Sequence, residues 1–159
     1  MIMTAEELLE RYEKGERDFT NIEITVVGEF EPNLDGVDLS GSDFRGSKLW
    51  IIDFTGVNLS RANLSGLDLY QRCFFKADLS YTNFNSSGLW GSGFDNANLW
   101  RANLSETDLR EARFRNTDMR GVNLKNARLL YTEFLDTNMA GAYLEGVDLR
   151  KGRFKNNIM

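Results

Sequence analysis

The 159-residue chain contains no histidine, only one cysteine and only one proline. Without histidine it cannot build a Ser-His-Asp or Cys-His catalytic group or a histidine metal site. The single cysteine, Cys73, excludes an internal disulfide and a cysteine zinc cluster. These absences argue against an enzyme, so we expect no catalytic residues, no cofactor and no metal site.

Long apolar runs are also missing from the chain. No stretch approaches the roughly 18–20 apolar residues of a membrane span. The first residues include Glu6, Glu7 and Glu10, where a signal peptide carries basic charge. We therefore expect a soluble, cytoplasmic protein without membrane contact, and its 42% hydrophobic residues are enough for one buried core.

The most regular feature is an apolar residue at every fifth position. From Leu34 to Met159, all 26 positions with this spacing are Leu, Phe or Met. Two positions before each of these central residues, 21 of 26 residues are Ala, Ser, Thr, Val or Gly, and one position before, 16 of 26 are Asp or Asn. The repeating unit is therefore a small residue, Asp or Asn, an apolar centre, and two variable residues.

A period of five fits neither a helix nor a continuous strand. A helix would spread every fifth residue around its surface, and a strand would alternate them between its two faces. The chain must therefore turn within every unit, so that the centre and the small residue face one interior. The Asp or Asn side chain between them points outward and can hydrogen-bond the turn backbone, while glycines such as Gly36 and Gly56 suit the corners.

A second, longer period gives the number of units in one coil. Six phenylalanines recur at every twentieth position: Phe54, Phe74, Phe94, Phe114, Phe134 and Phe154. Four units therefore form one coil, and coils stacked about 4.8 Å apart place these rings in a column. The sequence predicts an all-β solenoid of square cross-section, built as a parallel β-helix.

The repeat resembles the A(D/N)LXX motif of the pentapeptide-repeat family. The clearest copies are residues 62–66 (ANLSG), 77–81 (ADLSY) and 102–106 (ANLSE), and the resemblance covers residues 34–159. It implies a right-handed quadrilateral β-helix, although the spacing alone does not determine the handedness. Residues 4–19 also resemble the start of cyanobacterial members, which implies a cyanobacterial source.

A short helix is predicted before the repeat, at about residues 5–14. Thr4 and Glu7 have capping-box spacing, and Gly15 can end the helix. We expect this helix to cover the open edge of the first coil, with a partner-binding helix as the alternative. The predicted division is a capping helix and lead-in at 1–18 and a β-helix at 19–159, with an irregular first coil at 19–33 and a regular part at 34–159.

At the other end, the repeat runs to Met159 without a visible cap. Either the last coil frays, or it packs against a second copy in an end-to-end homodimer through the C-terminal coil.

Arg72 departs most sharply from the repeat, because it occupies an inward small-residue position beside Cys73 and Phe74. A buried, unpaired guanidinium is costly. We therefore expect the backbone to bulge locally, Arg72 to turn to solvent, and Cys73 to be an inert surface thiol.

Aromatic residues mark the candidate partner-binding surface. Trp50, Tyr70 and Trp90 directly follow apolar centres at every twentieth position, so they are predicted to form an exposed aromatic ladder, while Trp100 lies on another face. Exposed aromatics often mark binding sites. The alternative is that the rings stack on one another and shield the turns.

Charge differs between the two parts of the chain. Residues 1–100 hold 8 Lys and Arg against 16 Asp and Glu, and residues 101–159 hold 11 against 8. Seven arginines make the later coils basic: Arg101, Arg110, Arg113, Arg115, Arg120, Arg128 and Arg153. Acidic residues are interleaved with them, so we expect solvated ion pairs and no direct binding of nucleic acid.

Two classes of function are compatible with this sequence. The preferred one is a non-enzymatic scaffold that presents flat faces to an unidentified protein partner. The alternative, implied by the family resemblance, is a DNA-mimicking protein that binds DNA gyrase and confers quinolone resistance through an acidic surface. The acidic first part favours this alternative, whereas the basic later coils and the lack of a loop insertion after residue 34 count against it.

Overall fold

The computed structural model describes residues 1–25 and 34–159. Along the regular part, outward residues of one coil pair in parallel with the matching residues of the next, as Asp38 does with Asn58 and Asn58 with Asp78. Backbone hydrogen bonds join the coils at each rung, for example from the N–H of Leu79 to the carbonyl of Asn98 at 2.7 Å. The prediction of a quadrilateral parallel β-helix with four units per coil is confirmed.

Most rungs pair one residue per coil, and some extend into short strands. Near the N-terminus, β1 (Ile2–Met3) pairs with β2 (Glu23–Ile24). In the later coils β3 (Arg113–Arg115), β4 (Glu133–Leu135) and β5 (Arg153–Lys155) form a parallel sheet in that order. The register of this sheet advances by one coil per strand, which places one phenylalanine above the next.

The phenylalanines form the predicted column through the interior. From Phe54 to Phe154, neighbouring ring centroids lie 4.7–5.1 Å apart, and the ring planes are within 8° of parallel. Phe84 comes from the opposite face and packs edge-on against Phe74, with the centroids 5.8 Å apart. The interior is therefore a continuous stack of side chains, each in van der Waals contact with its neighbours one coil away.

The outward Asp and Asn side chains hold the corners, as the sequence predicts. Asp38 Oδ1 accepts the Ser40 N–H at 2.9 Å, and Asn58 Oδ1 accepts the Ser60 N–H at 3.0 Å. Two residues after nearly every centre the backbone turns through positive φ, where glycine is unstrained, as at Gly56 with φ of 66°. Each unit thus contains its own turn.

Hydroxyl groups at the small inward positions also join the coils. The Thr82 hydroxyl donates to the Leu59 carbonyl at 2.7 Å, and the Ser87 hydroxyl donates to the Leu64 carbonyl at 2.8 Å. Both side chains are buried, so these bonds satisfy polar groups that would otherwise destabilise the interior.

The predicted N-terminal helix is α1 (Ala5–Glu13). Its capping box is complete, with Thr4 and Glu7 bonded reciprocally. The helix ends in the bond pattern of a Schellman motif around Gly15, which has φ of 93°. Leu8 is fully buried in the same core as Phe19, so the helix covers the first coil.

The first pairs along the β-helix are five residues further apart than those of the regular part. Asp18 pairs with Asp43 and Glu23 with Lys48, whereas Asp43 pairs with Asn63 in the ordinary register. Residues 26–33 of the predicted irregular coil, with Glu29 and Pro32, lie outside the described residues. The boundary between residues 18 and 19 stays a prediction.

The predicted bulge at Arg72 is wrong. Cys73 pairs with Gly93 in the ordinary register, and the Phe74 N–H donates to the Gly93 carbonyl at 2.8 Å. The Arg72 side chain is half-buried and turns back along the surface, where its Nε donates to the Tyr70 carbonyl at 3.1 Å. An arginine fits here without a bulge because its long stem reaches a carbonyl at the corner, and Cys73 is exposed.

Candidate functional site

The structure places Trp50, Tyr70 and Trp90 in one outward column. Each directly follows the leucine centre of its unit, as Trp50 follows Leu49, and lies at the same corner of its coil. Trp50 is 51% exposed and Tyr70 is 49% exposed, while Trp90 is half-buried. We call these three residues the aromatic stripe. Its exposed area is large for side chains of this size, so it is an apolar surface that the fold itself leaves uncovered.

Local sequence holds the middle of the aromatic stripe rigidly. The Tyr70 ring meets the Trp90 ring edge to face, with the centroids 6.4 Å apart. It also lies over Gly88, where a Cβ atom would come within 2.5 Å of Tyr70 Cε1. Gly88 stands where most units have Asp or Asn, and this exchange leaves the space that the tyrosine ring occupies.

A cation lies at each end of the aromatic stripe. At the first end, the Lys48 ammonium lies 5.4 Å from the centroid of the Trp50 ring. At the other end, Arg110 continues the column after Trp90 and binds the Asp108 carboxylate at 2.6 Å. The hydrogen-bonded Arg110 guanidinium holds the pKa of Asp108 below its usual value. The stripe is therefore an apolar strip with charged borders.

Trp100 is not part of the aromatic stripe. It follows Trp90 by half a coil, which places it at the opposite corner of the square. There its ring packs edge to face with Tyr81, with the centroids 5.0 Å apart. Tyr81 was missed in the sequence, although it lies in the previous coil and in the column that adjoins that of Trp100.

The arginines of the later coils form the predicted ion pairs, with one exception. Arg120 binds Asp118 at 2.6 Å, and Arg115 binds Glu133 at 3.0 Å. The remaining pairs join Arg110 and Arg128 to Asp108, Arg113 to Asp95, and Arg153 to Glu133. Arg101 contacts the face of Trp100 instead, with its Cζ 5.3 Å from the ring centroid.

A repeated short-range pair accounts for four of the acidic residues. In Asp-X-Arg units, Asp43 binds Arg45 and Asp118 binds Arg120, both at 2.6 Å. The guanidinium hydrogen bond lowers the pKa of each of these aspartates below its usual value. The same arrangement occurs at Asp108 and Asp148. These carboxylates act at the corners of the coil and not as a paired catalytic site.

Within residues 1–25 and 34–159, no group of three or more Cys, Asp and Glu side chains is placed to hold a metal ion. In the same part of the chain, the helices are too short and too polar to span a bilayer.

Comparisons with solved structures identify proteins of similar fold. HetL, a pentapeptide repeat protein involved in heterocyst differentiation regulation from the cyanobacterium Nostoc sp. strain PCC 7120, is 21% identical, with a TM-score of 0.52 over 94% of this chain and 96% of that one. QnrB1, a plasmid-mediated fluoroquinolone resistance protein, is 15% identical, with a TM-score of 0.50 over 88% of this chain and 75% of that one. At these identities the likeness shows the fold alone. Among curated proteins, none matches this chain.

The spacing of the repeat left the handedness of the β-helix open. Comparison with the family shows that the helix winds to the right. The family model described as pentapeptide repeats matches eight copies, over residues 33–71, 52–91, 91–126 and 118–156. These ranges cover most of the chain and coincide with the stacked coils. The chain belongs to the pentapeptide repeat family.

Proposed function

We propose that the protein is a non-enzymatic interaction module that binds a partner protein through the aromatic stripe. One observation carries this proposal: the fold leaves Trp50 and Tyr70 about half exposed while holding Tyr70 in place against Gly88 and Trp90. Aromatic side chains that are already ordered lose little conformational entropy on binding, and Trp and Tyr dominate the binding energy of many interfaces.

The outline of the stripe supports the same proposal. Its three residues lie on successive coils, which are about 4.8 Å apart along the axis, and therefore form a narrow exposed strip. Lys48 and Arg110 border the strip with charge, which resembles the apolar centre and polar rim of protein interfaces. A strip of this kind on an open surface fits a folded protein better than it would enclose a small molecule.

The test is a pull-down from a cell lysate followed by direct binding of the purified captured protein. A triple variant, Trp50→Ser, Tyr70→Ser and Trp90→Ser, removes the stripe. A matched variant, Phe75→Ser, Tyr131→Ser and Tyr143→Ser, removes three other exposed aromatics. The proposal requires that one protein binds the wild type and the matched variant and that the stripe variant loses it. Equal binding to all three proteins would show that the rings only pack against the surface.

DNA gyrase binding by mimicry of DNA is the second candidate. The excess of acidic residues in positions 1–100 favours it, and QnrB1 shares the fold. Against it stand the arginines of the later coils and the unbroken register of the described residues 34–159. A supercoiling assay with purified gyrase separates the two candidates. Inhibition or protection at micromolar protein supports the mimic, and no effect removes it.

An end-to-end homodimer through the last coil is a separate proposal. In this coil Phe154 is 36% exposed, and Ile158 and Met159 are both 59% exposed. A second copy would cover these side chains and pair with β5. Light scattering at tens of micromolar protein, about the range in which weak homodimers form, tests it. A mass of two chains supports the dimer, and monomer mass alone overturns it.

A further inference from the structure

The corner opposite the aromatic stripe carries a cluster of two arginines and two aromatic rings. The Arg61 guanidinium lies 5.8 Å from the centroid of Tyr81, and Arg101 contacts Trp100 as described above. Tyr81 is 39% exposed and Trp100 is 38% exposed. We call Arg61, Tyr81, Trp100 and Arg101 the arginine–aromatic cluster. Its members follow one another along the axis on three successive coils, because Arg61, Tyr81 and Arg101 occupy the same position in successive coils.

The two guanidiniums differ from those of the Asp-X-Arg units. Arg45, Arg110, Arg120 and Arg150 each bind the aspartate two residues before them. Arg61 and Arg101 lie one position further along the unit, and within the described ranges 1–25 and 34–159 neither has an ion pair with a carboxylate. Their hydrogen-bonding groups are therefore available to an anion from outside the molecule.

Small residues make the surface concave next to this cluster. Gly121, Ala140 and Gly141 follow Trp100 and Arg101 in the same two columns and line a groove together with Arg120, whose guanidinium is bound to Asp118. Tyr143, which is 66% exposed, lies at its side. A peptide could therefore lie along this corner with its acidic side chains near Arg61 and Arg101 and the rest of its backbone continuing past Arg101 over Gly121 and Gly141.

We propose that the arginine–aromatic cluster binds a short acidic segment of a partner protein. Arg61 and Arg101 stand two coils apart, about 10 Å along the axis. This matches the roughly 9 Å between residues three apart in a polyproline-II chain, where such residues point to the same side. The rings hold the guanidiniums in place and offer apolar contact to the stems of Glu side chains.

Charge on the adjoining face favours a peptide over a single-stranded nucleic acid. Asp38 and Asp78 lie in the column two positions before the corner, and in the described part of the chain neither forms an ion pair. A strand with a phosphate at every nucleotide would be repelled by these carboxylates, and the whole protein carries a net charge of −5. A peptide that supplies two carboxylates near Arg61 and Arg101 avoids this repulsion.

The test measures binding of a dye-labelled peptide with two glutamates three residues apart among glycines (Gly-Glu-Gly-Gly-Glu-Gly) by fluorescence anisotropy. We expect the wild type to bind and the double variant Arg61→Gln, Arg101→Gln to lose affinity by about tenfold or more. The matched variant Arg45→Gln, Arg150→Gln removes the same charge from other corners and is expected to stay within about twofold of the wild type. A third variant, Arg61→Lys with Arg101→Lys, keeps the charge without the planar fork and should bind with intermediate affinity.

The substituted arginines are all exposed, so circular dichroism should show the same fold for each variant. Three results would overturn the proposal. The wild type shows no binding of the two-glutamate peptide, the two glutamine variants weaken binding equally, or a labelled hexathymidylate binds more tightly than the peptide. The last result would assign the cluster to single-stranded nucleic acid.

Discussion

At the N-terminal end of the solenoid, Leu8 of α1 is completely buried against the first coil, whereas at the other end Phe154 is 36% exposed. Leu8 belongs to the apolar core, whereas Phe154 lies at its edge and stacks on the core residue Phe134, with the centroids 4.7 Å apart. The difference lies in the number of neighbours. A ring inside the stack has contacts on two sides, and the ring of the last coil has them on one.

This comparison teaches that burial in a stacked fold depends on position along the axis as much as on residue type. Each coil contacts only the coils before and after it, so stability is close to a sum of nearest-neighbour terms. The same phenylalanine therefore contributes different free energies in the middle and at the end of the column.

The largest expected effect separates Phe94→Ala from Phe154→Ala. Phe94 is fully buried, with its centroid 4.8 Å from those of both Phe74 and Phe114. Removing it leaves a cavity, which should lower the free energy of unfolding by about 3–5 kcal/mol. Phe154→Ala should cost less than about 1 kcal/mol, because solvent already reaches the ring. Urea unfolding of both variants measures the difference, and equal losses would contradict the account of the two ends.

Removal of the N-terminal cover should have the next largest effect. Leu8→Ala should lower the free energy of unfolding by about 2–3 kcal/mol, since Leu8 joins the helix to the first coil. The matched change Leu9→Ala removes a half-buried leucine of the same helix and should cost clearly less. Hydrogen exchange checks the location: the amides of the first coil should lose protection in Leu8→Ala, while those near β5 stay unchanged. A loss spread evenly along the chain would refute a local cap.

A smaller effect is expected at the start of the same helix. Thr4→Ala removes the side chain that accepts the Glu7 N–H, and should cost about 1 kcal/mol. Thr4→Ser keeps the hydroxyl and should retain nearly all of the stability. Thermal unfolding of the two variants tests this, and identical melting temperatures would show that the capping box does not stabilise the end.

The smallest effect is an acid-dependent one at the corners. The Arg120 guanidinium lowers the pKa of Asp118 in the folded state, so the pair stabilises the protein above the unfolded pKa of about 3.9 and loses this contribution as pH falls through the folded pKa. Between pH 6 and pH 3, the urea midpoint should therefore fall less in Asp118→Asn than in the wild type. In Asp148→Asn, at the exposed last coil, the fall of the urea midpoint should differ less from that of the wild type, because the Arg150 side chain is 90% exposed.

The interior was predictable from the sequence because its spacing is geometrically restrictive. A residue such as Phe94 can face the inside only if every unit turns, so the period of five and the period of twenty determine the coils, the phenylalanine column and the corners together. The limits of α1 were predicted to within one residue, since Thr4 and Gly15 are strong end signals.

The outward positions were less predictable, because the backbone leaves their side chains free to choose among neighbours. The periodicity placed the aromatic stripe in one column but gave no indication that Gly88 would receive the Tyr70 ring. It also did not show that Trp100 would pair with Tyr81 rather than stand alone. Arg72 turns to the surface as predicted, but the predicted bulge was wrong, because its side chain reaches the Tyr70 carbonyl at the corner without disturbing the backbone, a path that no residue pattern reveals.

The register of one coil per rung has a consequence for how such a surface can evolve. Outward residues in a column are separated by whole coils, so a contact site can shift along the axis only in steps of about 4.8 Å. A coil duplicated or deleted before or after both surfaces would move them together by one such step relative to that end of the solenoid and leave every side chain on its own corner. Evolution can therefore change such a surface in large steps, by adding or removing whole coils, and in small steps, by single outward substitutions. The interior stays the same in both cases.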